Sequence, residues 1–365
     1  MKMNRLSISA LIMAAALPWL PAGAQTSQKI TAGKASEYGL VYSLPVTALD
    51  IYLVAELEEA HPGEFQNYAR RHLGAADAVT ADSRSARLTD VVVVPRGTAD
   101  PDQRWLAQFK AGSAPFMILN SDNIPLAVNT ENIAESTAPA IPAPKAAAPS
   151  PLEGEAARQA VTQEMARSSS TSKRAELAAQ RIFELRETRS DILSGQADNP
   201  PADGKAMQLV LDNLAAQEAA LTAMFTGVKS ASTIVEKVTV TPDSAGVSDK
   251  IIARLSAVDG FVAPDNLAGA PVRLTVKLIE SGAIPAMENG SPKAFPKGGV
   301  AYRIPGRALV SVEYAGRTIA EQEVAIAQSG AVFGLDPKLF TDKKEPSQVQ
   351  FDPATGAIIE LGPVK

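Results

Sequence analysis

The sequence predicts an α+β protein in three parts: an N-terminal α/β-mixed sheet domain, a long antiparallel helical hairpin, and a C-terminal strand-rich domain, sandwich-like or a curved sheet. Three patterns carry this reading. From Ala48 to Glu58 the chain alternates, with Leu49, Ile51, Leu53, Ala55 and Leu57 on one face and Asp50, Tyr52, Glu56 and Glu58 on the other, the period of a half-buried strand. Lys173 to Ser194 and Gly204 to Phe225 show apolar residues at steps of three and four, the period of helices. Beyond Thr233 come short apolar runs separated by turn residues, as a sandwich or curved sheet requires.

The chain opens with an export signal at residues 1–24. Lys2 and Arg5 supply the basic start, Leu6 to Leu20 the apolar stretch, and Ala22-Gly23-Ala24 the small residues of a cleavage site, so the cut falls after Ala24. An uncleaved anchor is disfavoured because the stretch falls short of the roughly 20 residues that span a bilayer and contains Pro18. After Ala24 no apolar run is long enough for a transmembrane helix.

Residues 37–130 read as the N-terminal domain. Phe65, Ala69 and Leu73 follow Pro62 at helical spacing and stop at Gly74, which places a short amphipathic helix over the sheet. Val91 to Val94 and Pro115 to Leu119 read as strands, and Asp122-Asn123 turns into a third from Ile124 to Val128. Residues 134–156 hold Pro139, Pro142, Pro144, Pro149 and Pro151 among Ala and Ser, the composition of an extended linker. The hairpin occupies 172–227, folding at Gly195 and Asn199-Pro200-Pro201. Each helix has a narrow apolar stripe, Ala178, Ile182, Leu185 and Ile192 against Met207, Leu211, Leu214, Leu221 and Phe225, which suits one neighbour. If the chain folds back at that turn, Arg186 comes level with Asp212 as a structural ion pair. The C-terminal domain, 231–362, contains strands at 233–240, 250–255, 272–279, 300–304, 308–314, 318–327 and 357–361.

Composition narrows the chemistry. Loss of Lys2 and Arg5 lowers the 35 basic residues to 33 against 40 acidic ones, a net charge of −7, so no cationic excess is available for nucleic acid. With 45% hydrophobic residues the chain can bury real cores, and without Cys it does so unaided by disulfides. Its two histidines, His61 and His72, read as the ends of one short helix, about 16 Å apart at 1.5 Å per residue and too far to share a metal. No Gly-x-Ser-x-Gly elbow, Walker loop, dinucleotide glycine fingerprint or alternating-acid calcium loop occurs. The expectation is therefore no catalytic residue, no metal and no cofactor. Asp100, Asp102 and Trp105 form the one candidate binding group: an exposed indole beside acids stacks on sugar rings, although acids around Pro101 are also ordinary turn chemistry and such a Trp is more often a core anchor.

Tyr42-Ser43-Leu44-Pro45-Val46-Thr47-Ala48-Leu49 is echoed by Tyr302-Arg303-Ile304-Pro305-Gly306-Arg307-Ala308-Leu309, which reads as a shared way of starting a strand or as the trace of a duplication. These strings, with Ala69-Arg70-Arg71-His72-Leu73-Gly74, Asp100-Pro101, Ile182-Phe183-Glu184-Leu185-Arg186, Phe225-Thr226-Gly227, Gln328-Ser329-Gly330 and Asp352-Pro353-Ala354-Thr355-Gly356, resemble in order and spacing an envelope family of Bacteroidota described as domain of unknown function 4831. The resemblance spans most of the mature chain, implies export, and transfers no catalytic residue. The leading expectation is an exported, non-catalytic envelope protein, periplasmic or outer-membrane associated, whose partner is an envelope protein or surface polysaccharide. A glycan-binding or glycan-processing protein using Asp100, Asp102 and Trp105 is the first alternative. A periplasmic assembly chaperone acting by strand addition is the second.

Overall fold

The computed structural model describes residues 26–29, 39–108, 116–133, 139–198, 204–342 and 344–364. The signal segment with Ala24, the start of the 115–119 strand, residues 134–138 of the linker and the Asn199-Pro200-Pro201 turn lie outside the described residues. The fold is mixed α+β. A first sheet joins β1 (Thr26–Lys29), β2 (Leu40–His61), β3 (Ser83–Gln108) and β6 (Val228–Val240) in the order β1-β3-β2-β6. A second joins β7 (Gly246–Ser256), β8 (Gly260–Val262), β9 (Ala270–Glu280), β10 (Val300–Tyr314) and β11 (Arg317–Leu335) in the order β11-β10-β9-β7-β8. The third, in the order β13-β12-β5-β4, contains β4 (Met117–Leu119), β5 (Pro125–Val128), β12 (Ser347–Phe351) and β13 (Ile358–Pro363).

The alternation in β2 sends Leu49, Ile51 and Leu53 into a core with Val91 and Val93 of β3, facing Val272, Leu274 and Val276 of β9 and Val310 and Val312 of β10. Each such fully buried aliphatic side chain contributes about 1.5–3 kcal/mol, so this interface is the main apolar bond between the first two sheets. The opposite face of β2 is not simply wet, because Asp50 is buried there.

The helices form a separate layer. α1 (Ala69–Leu73) ends at Gly74 in the left-handed conformation, and a 3-10 turn at Gln66–Tyr68 precedes it. Instead of covering the sheet, Phe65 and Ala69 join the core of α4 (Thr171–Ser194) and α5 (Lys205–Thr226), where Ala175, Ala178, Ile182, Leu185, Leu221 and Phe225 meet. The alanines let α4 approach closely, and Ala160 of α2 (Glu155–Ala160) and Met165 of α3 (Gln163–Arg167) seal the side. His61 ends β2 and His72 lies in α1, so the two are not ends of one helix.

The boundaries drawn from sequence are crossed by strand pairing. β6 pairs with β2 along its whole 13 residues, from Leu49↔Val240 to His61↔Val228, and β12 pairs with β5 at Val349↔Val128. The regions 37–130 and 231–362 therefore share two of the three sheets, because sequence pattern specifies a strand without naming its neighbour. Of the Ala/Pro segment, residues 139–150 are largely exposed and without helix but not detached: Lys145 and Thr233 exchange both backbone hydrogen bonds, at 2.9 and 2.8 Å. Its prolines lack the N–H groups that would extend this pairing. Residues 300–304 and 308–314 belong to one strand, β10, which passes through Pro305 at a register shift between Ile304 and Gly306. Short α6 (Lys338–Thr341) leads into β12, which periodicity did not reveal.

A specific protease site inserted between Ala146 and Ala148 will nick the chain into two pieces. They are expected to co-elute in size-exclusion chromatography and to part only in denaturant; separation in native buffer would show that the crossing strand pairs do not hold them.

Candidate functional site

The three residues proposed from sequence as a binding group do not converge on a surface. Trp105 is buried, stacked on Phe295 with ring centroids 5.3 Å apart and planes 12° apart, in a core with Tyr42, Leu44 and Ala301. Asp100 pairs with the Arg303 side chain, and both are largely buried. Asp102 is exposed, and its backbone N–H donates to Asp100 Oδ1 at 2.9 Å. Burial pulls the Arg303 guanidinium down from its usual value, while the charge of Asp100 and its hydrogen bond push the other way. Asp100 is thus the counter-ion of a buried cation and Trp105 a core anchor.

The pair belongs to a polar knot between the sheets. Thr47, fully buried, donates its backbone N–H to Gln328 Oε1 at 2.9 Å and its hydroxyl to the Ala354 carbonyl at 2.9 Å, and the hydroxyl accepts from Ala327 N at 3.0 Å. Gln328 Nε2 donates back to the Thr47 carbonyl at 2.9 Å and to the Pro242 carbonyl at 2.7 Å. Arg303 N donates to the Gly356 carbonyl at 3.0 Å, and Ala301 N to the Tyr42 hydroxyl at 2.8 Å. The echoed Tyr-x-x-Pro strings meet here, and each proline sits at a register shift inside a long strand and not at a strand start. Thr47, Gln328 and Asp100 spend their side-chain polar groups on other parts of the chain, while the buried Arg303 Nε has no partner.

A second buried charge, missed from sequence, is Asp50. Its neighbours on β3 and β6 fold over it: Lys237 Nζ lies 2.8 Å from Oδ2, Arg96 Nε donates to Oδ2 at 3.1 Å, and the Thr239 hydroxyl donates to Oδ1 at 2.7 Å. Burial raises the carboxyl pKa, but the hydrogen bonds from Lys237 and Thr239 and the charge of Arg96 outweigh it and hold the group below its usual range.

The accessible site lies at the foot of the helical hairpin. A cleft of about 540 Å³ is bounded by α4, α5, the start of β6 and Pro151, a volume in the range of small-molecule sites. Arg186 and Arg189, three residues apart on α4, face it from the same side of the helix. Glu218 of α5, largely buried, binds both: Arg186 Nε lies 2.6 Å from Oε1 and Arg189 Nη1 2.8 Å from Oε2. The Arg186 guanidinium also lies 5.8 Å from the centre of the Phe183 ring. Ala215, Ala219 and Ala223 keep the α5 wall low, and Thr222 in that wall has a buried hydroxyl oxygen without a partner. At the base, Gly227 (φ 77°) turns α5 into β6; a Cβ there would stand 2.5 Å from the His61 carbonyl oxygen, so only glycine fits. Lys229 follows with no acidic partner among the described residues, and it also lines a neighbouring cavity of about 370 Å³ with Glu58, Glu59, Ser83, Ser85 and Ser230.

This geometry corrects the expected Arg186–Asp212 pair. Arg186 meets Glu218, a register six residues further along α5, while Asp212 lies exposed and accepts from Gln208 at 2.7 Å. Sequence reasoning took the fold-back point from the Asn199-Pro200-Pro201 turn, whereas the close seam of alanines and Leu221 sets the register. The cleft residues Arg189, Glu218 and Lys229 were not singled out from sequence; the available signal was the three-residue spacing of Arg186 and Arg189 beside an acid on the facing helix.

Among the described residues no helix is long and apolar enough to cross a membrane. A family model described as Domain of unknown function (DUF4831) matches residues 38–359. No curated protein and no solved structure matches the chain.

Asp100→Ala leaves the Arg303 charge buried and unpaired and is expected to lower stability in urea titrations by about 3–5 kcal/mol, whereas Asp102→Ala should stay within about 0.5 kcal/mol of wild type. Equal effects would place the buried pair elsewhere. Because Asp50 titrates below its usual value, its contribution is whole at neutral pH and is lost as pH falls through the lowered value. The stability difference between wild type and Asp50→Asn, about 1–3 kcal/mol at neutral pH, should therefore shrink in strong acid, as measured by denaturation midpoints across pH.

Proposed function

Because the chain belongs to the family described as Domain of unknown function (DUF4831), whose description names no activity, we propose a role from the site itself: an exported, non-catalytic protein of the periplasm or outer membrane that holds an acidic envelope component in the cleft at the foot of its hairpin. The observation that carries this is the pair of guanidiniums clamped by one shared carboxylate in an open cleft that is also lined by Lys229, an ammonium without an acidic partner among the described residues. Glu218 fixes Arg186 and Arg189 in place, and each retains N–H donors beyond the nitrogen it gives to the carboxylate. Preorganised donors of this kind bind an oxyanion without first having to order long side chains. The signal at residues 1–24 supports placement outside the cytoplasm.

Both alternatives have less behind them. The glycan-processing reading needs Trp105 as a platform, and that ring is already stacked on Phe295. The strand-addition reading has a 19-residue edge strand in β11, but Arg317, Glu321 and Glu323 stand exposed along its first half, a charge pattern by which natural edges resist added strands.

Crosslinking in the native envelope tests the proposal. Wild type is expected to capture a reproducible acidic envelope component, and Arg186→Ala with Arg189→Ala to reduce capture at least about tenfold, since each charge-assisted hydrogen bond contributes about 1.5–3 kcal/mol. Lys229→Gln, which breaks no ion pair among the described residues and adds no like charge beside Glu58 and Glu59, should also reduce capture, with an unchanged melting temperature. Undiminished capture by both variants would remove the cleft from the function.

A further inference from the structure

We propose that the group held in the cleft is a sugar phosphomonoester. The proposal rests on the cleft being the binding site and names its ligand class. Charge comes first: within the cleft Arg186, Arg189 and Lys229 bring three cations and Glu218 one anion, leaving two positive charges there, while in the neighbouring cavity Glu59 is paired with Arg84 and Glu58 accepts from Ser85. A phosphomonoester carries close to two negative charges at neutral pH, so it compensates the site, whereas a carboxylate leaves one positive charge over.

Donor arrangement points the same way. The guanidiniums project from α4 and the ammonium from the start of β6, so the donors approach from two separate elements. A tetrahedral group presents oxygens in three directions and can meet both elements, whereas a planar carboxylate presents two oxygens in one plane, as Glu218 does in bridging the two arginines. Thr222, whose buried hydroxyl has no partner, also lines the cleft.

The body attached to the phosphoryl group is read from the second cavity, which shares Lys229. Its remaining wall carries the carboxylates of Glu58 and Glu59 and the hydroxyls of Ser83, Ser85 and Ser230 beside Ala60 and Ala231. Those hydroxyls and carboxylates can exchange hydrogen bonds with the hydroxyls of a sugar, and the alanines can pack on its ring. With about 540 Å³ on one side of Lys229 and about 370 Å³ on the other, there is room for a phosphoryl group and one or two sugar rings.

Calorimetric titration of the purified full chain with glucose 1-phosphate, inorganic phosphate, glucuronate and glucose, together with sedimentation against phosphatidylcholine vesicles with and without phosphatidic acid, tests the assignment. Glucose 1-phosphate is expected to bind at least about tenfold more tightly than glucuronate and more tightly than inorganic phosphate, with no added retention on phosphatidic acid vesicles. Its affinity should fall as pH drops from about 7.5 to about 5, because the phosphoryl group loses its second charge near pH 6. Lys229→Gln should weaken binding at least about tenfold at an unchanged melting temperature, and Asp102→Ala should leave it intact. Glucuronate binding as tightly as glucose 1-phosphate, or retention only on phosphatidic acid vesicles, would overturn the phosphosugar assignment and leave the cleft as the binding site. Absence of binding by every anion, with envelope capture unaffected by the arginine variants, would overturn both.

Discussion

The fold depends on a buried polar knot in which Thr47 and Gln328 exchange backbone and side-chain hydrogen bonds and Arg303 is neutralised by Asp100. Apolar packing between sheets is non-directional and tolerates sliding, whereas each of these groups finds its partner in only one register. Here four stretches far apart in sequence, around residues 47, 100, 303 and 328, together with the turn at 352–356, are fixed against one another. Gly97 of β3 lies under that turn, where a Cβ would stand 1.9 Å from the Pro353 carbonyl oxygen, so even the backbone approach is specified. The loss of any one partner leaves the others desolvated and unpaired, which makes the knot cooperative.

The hairpin draws its position from the same framework. α5 leads through Gly227 directly into β6, and β6 is bonded along its length to β2, the strand that carries Thr47. The foot of the hairpin is therefore rigidly seated on the first sheet, while α4 is held against α5 by Ala175, Ala178 and Ile182. A cleft at that junction has walls from two layers, one helical and one β, and so presents cations from different directions. The distal part of the hairpin is less enclosed, with Leu193 and Leu209 largely exposed.

Acidic composition and a cationic cleft are compatible. A net charge of −5 is distributed along the chain and screened within about 8–10 Å at physiological salt, but the cations at the hairpin foot act at contact distance. The acids that might have suggested chemistry in the sequence are largely committed: Asp50 to Lys237, Arg96 and Thr239, Asp100 to Arg303, and Glu218 to two arginines.

What the sequence determined by itself is local. The stepped stripes placed α4 and α5 within a few residues and alternation found the middle of β2 at Ala48 to Glu58 but not its start at Leu40, because one-sided burial imposes a period only where a segment has one wet and one buried face. The glycine stops at Gly74 and Gly195 were legible because only a residue without Cβ takes the left-handed conformation at little cost. Tertiary structure alone decided which strands share a sheet, that Asp50 lies under its neighbours, and that Arg186 meets Glu218 in place of Asp212. Those outcomes depend on which side chains pack between elements distant in sequence. A periodic pattern states that a face will be buried, but the identity of what buries it is a property of the whole assembled chain.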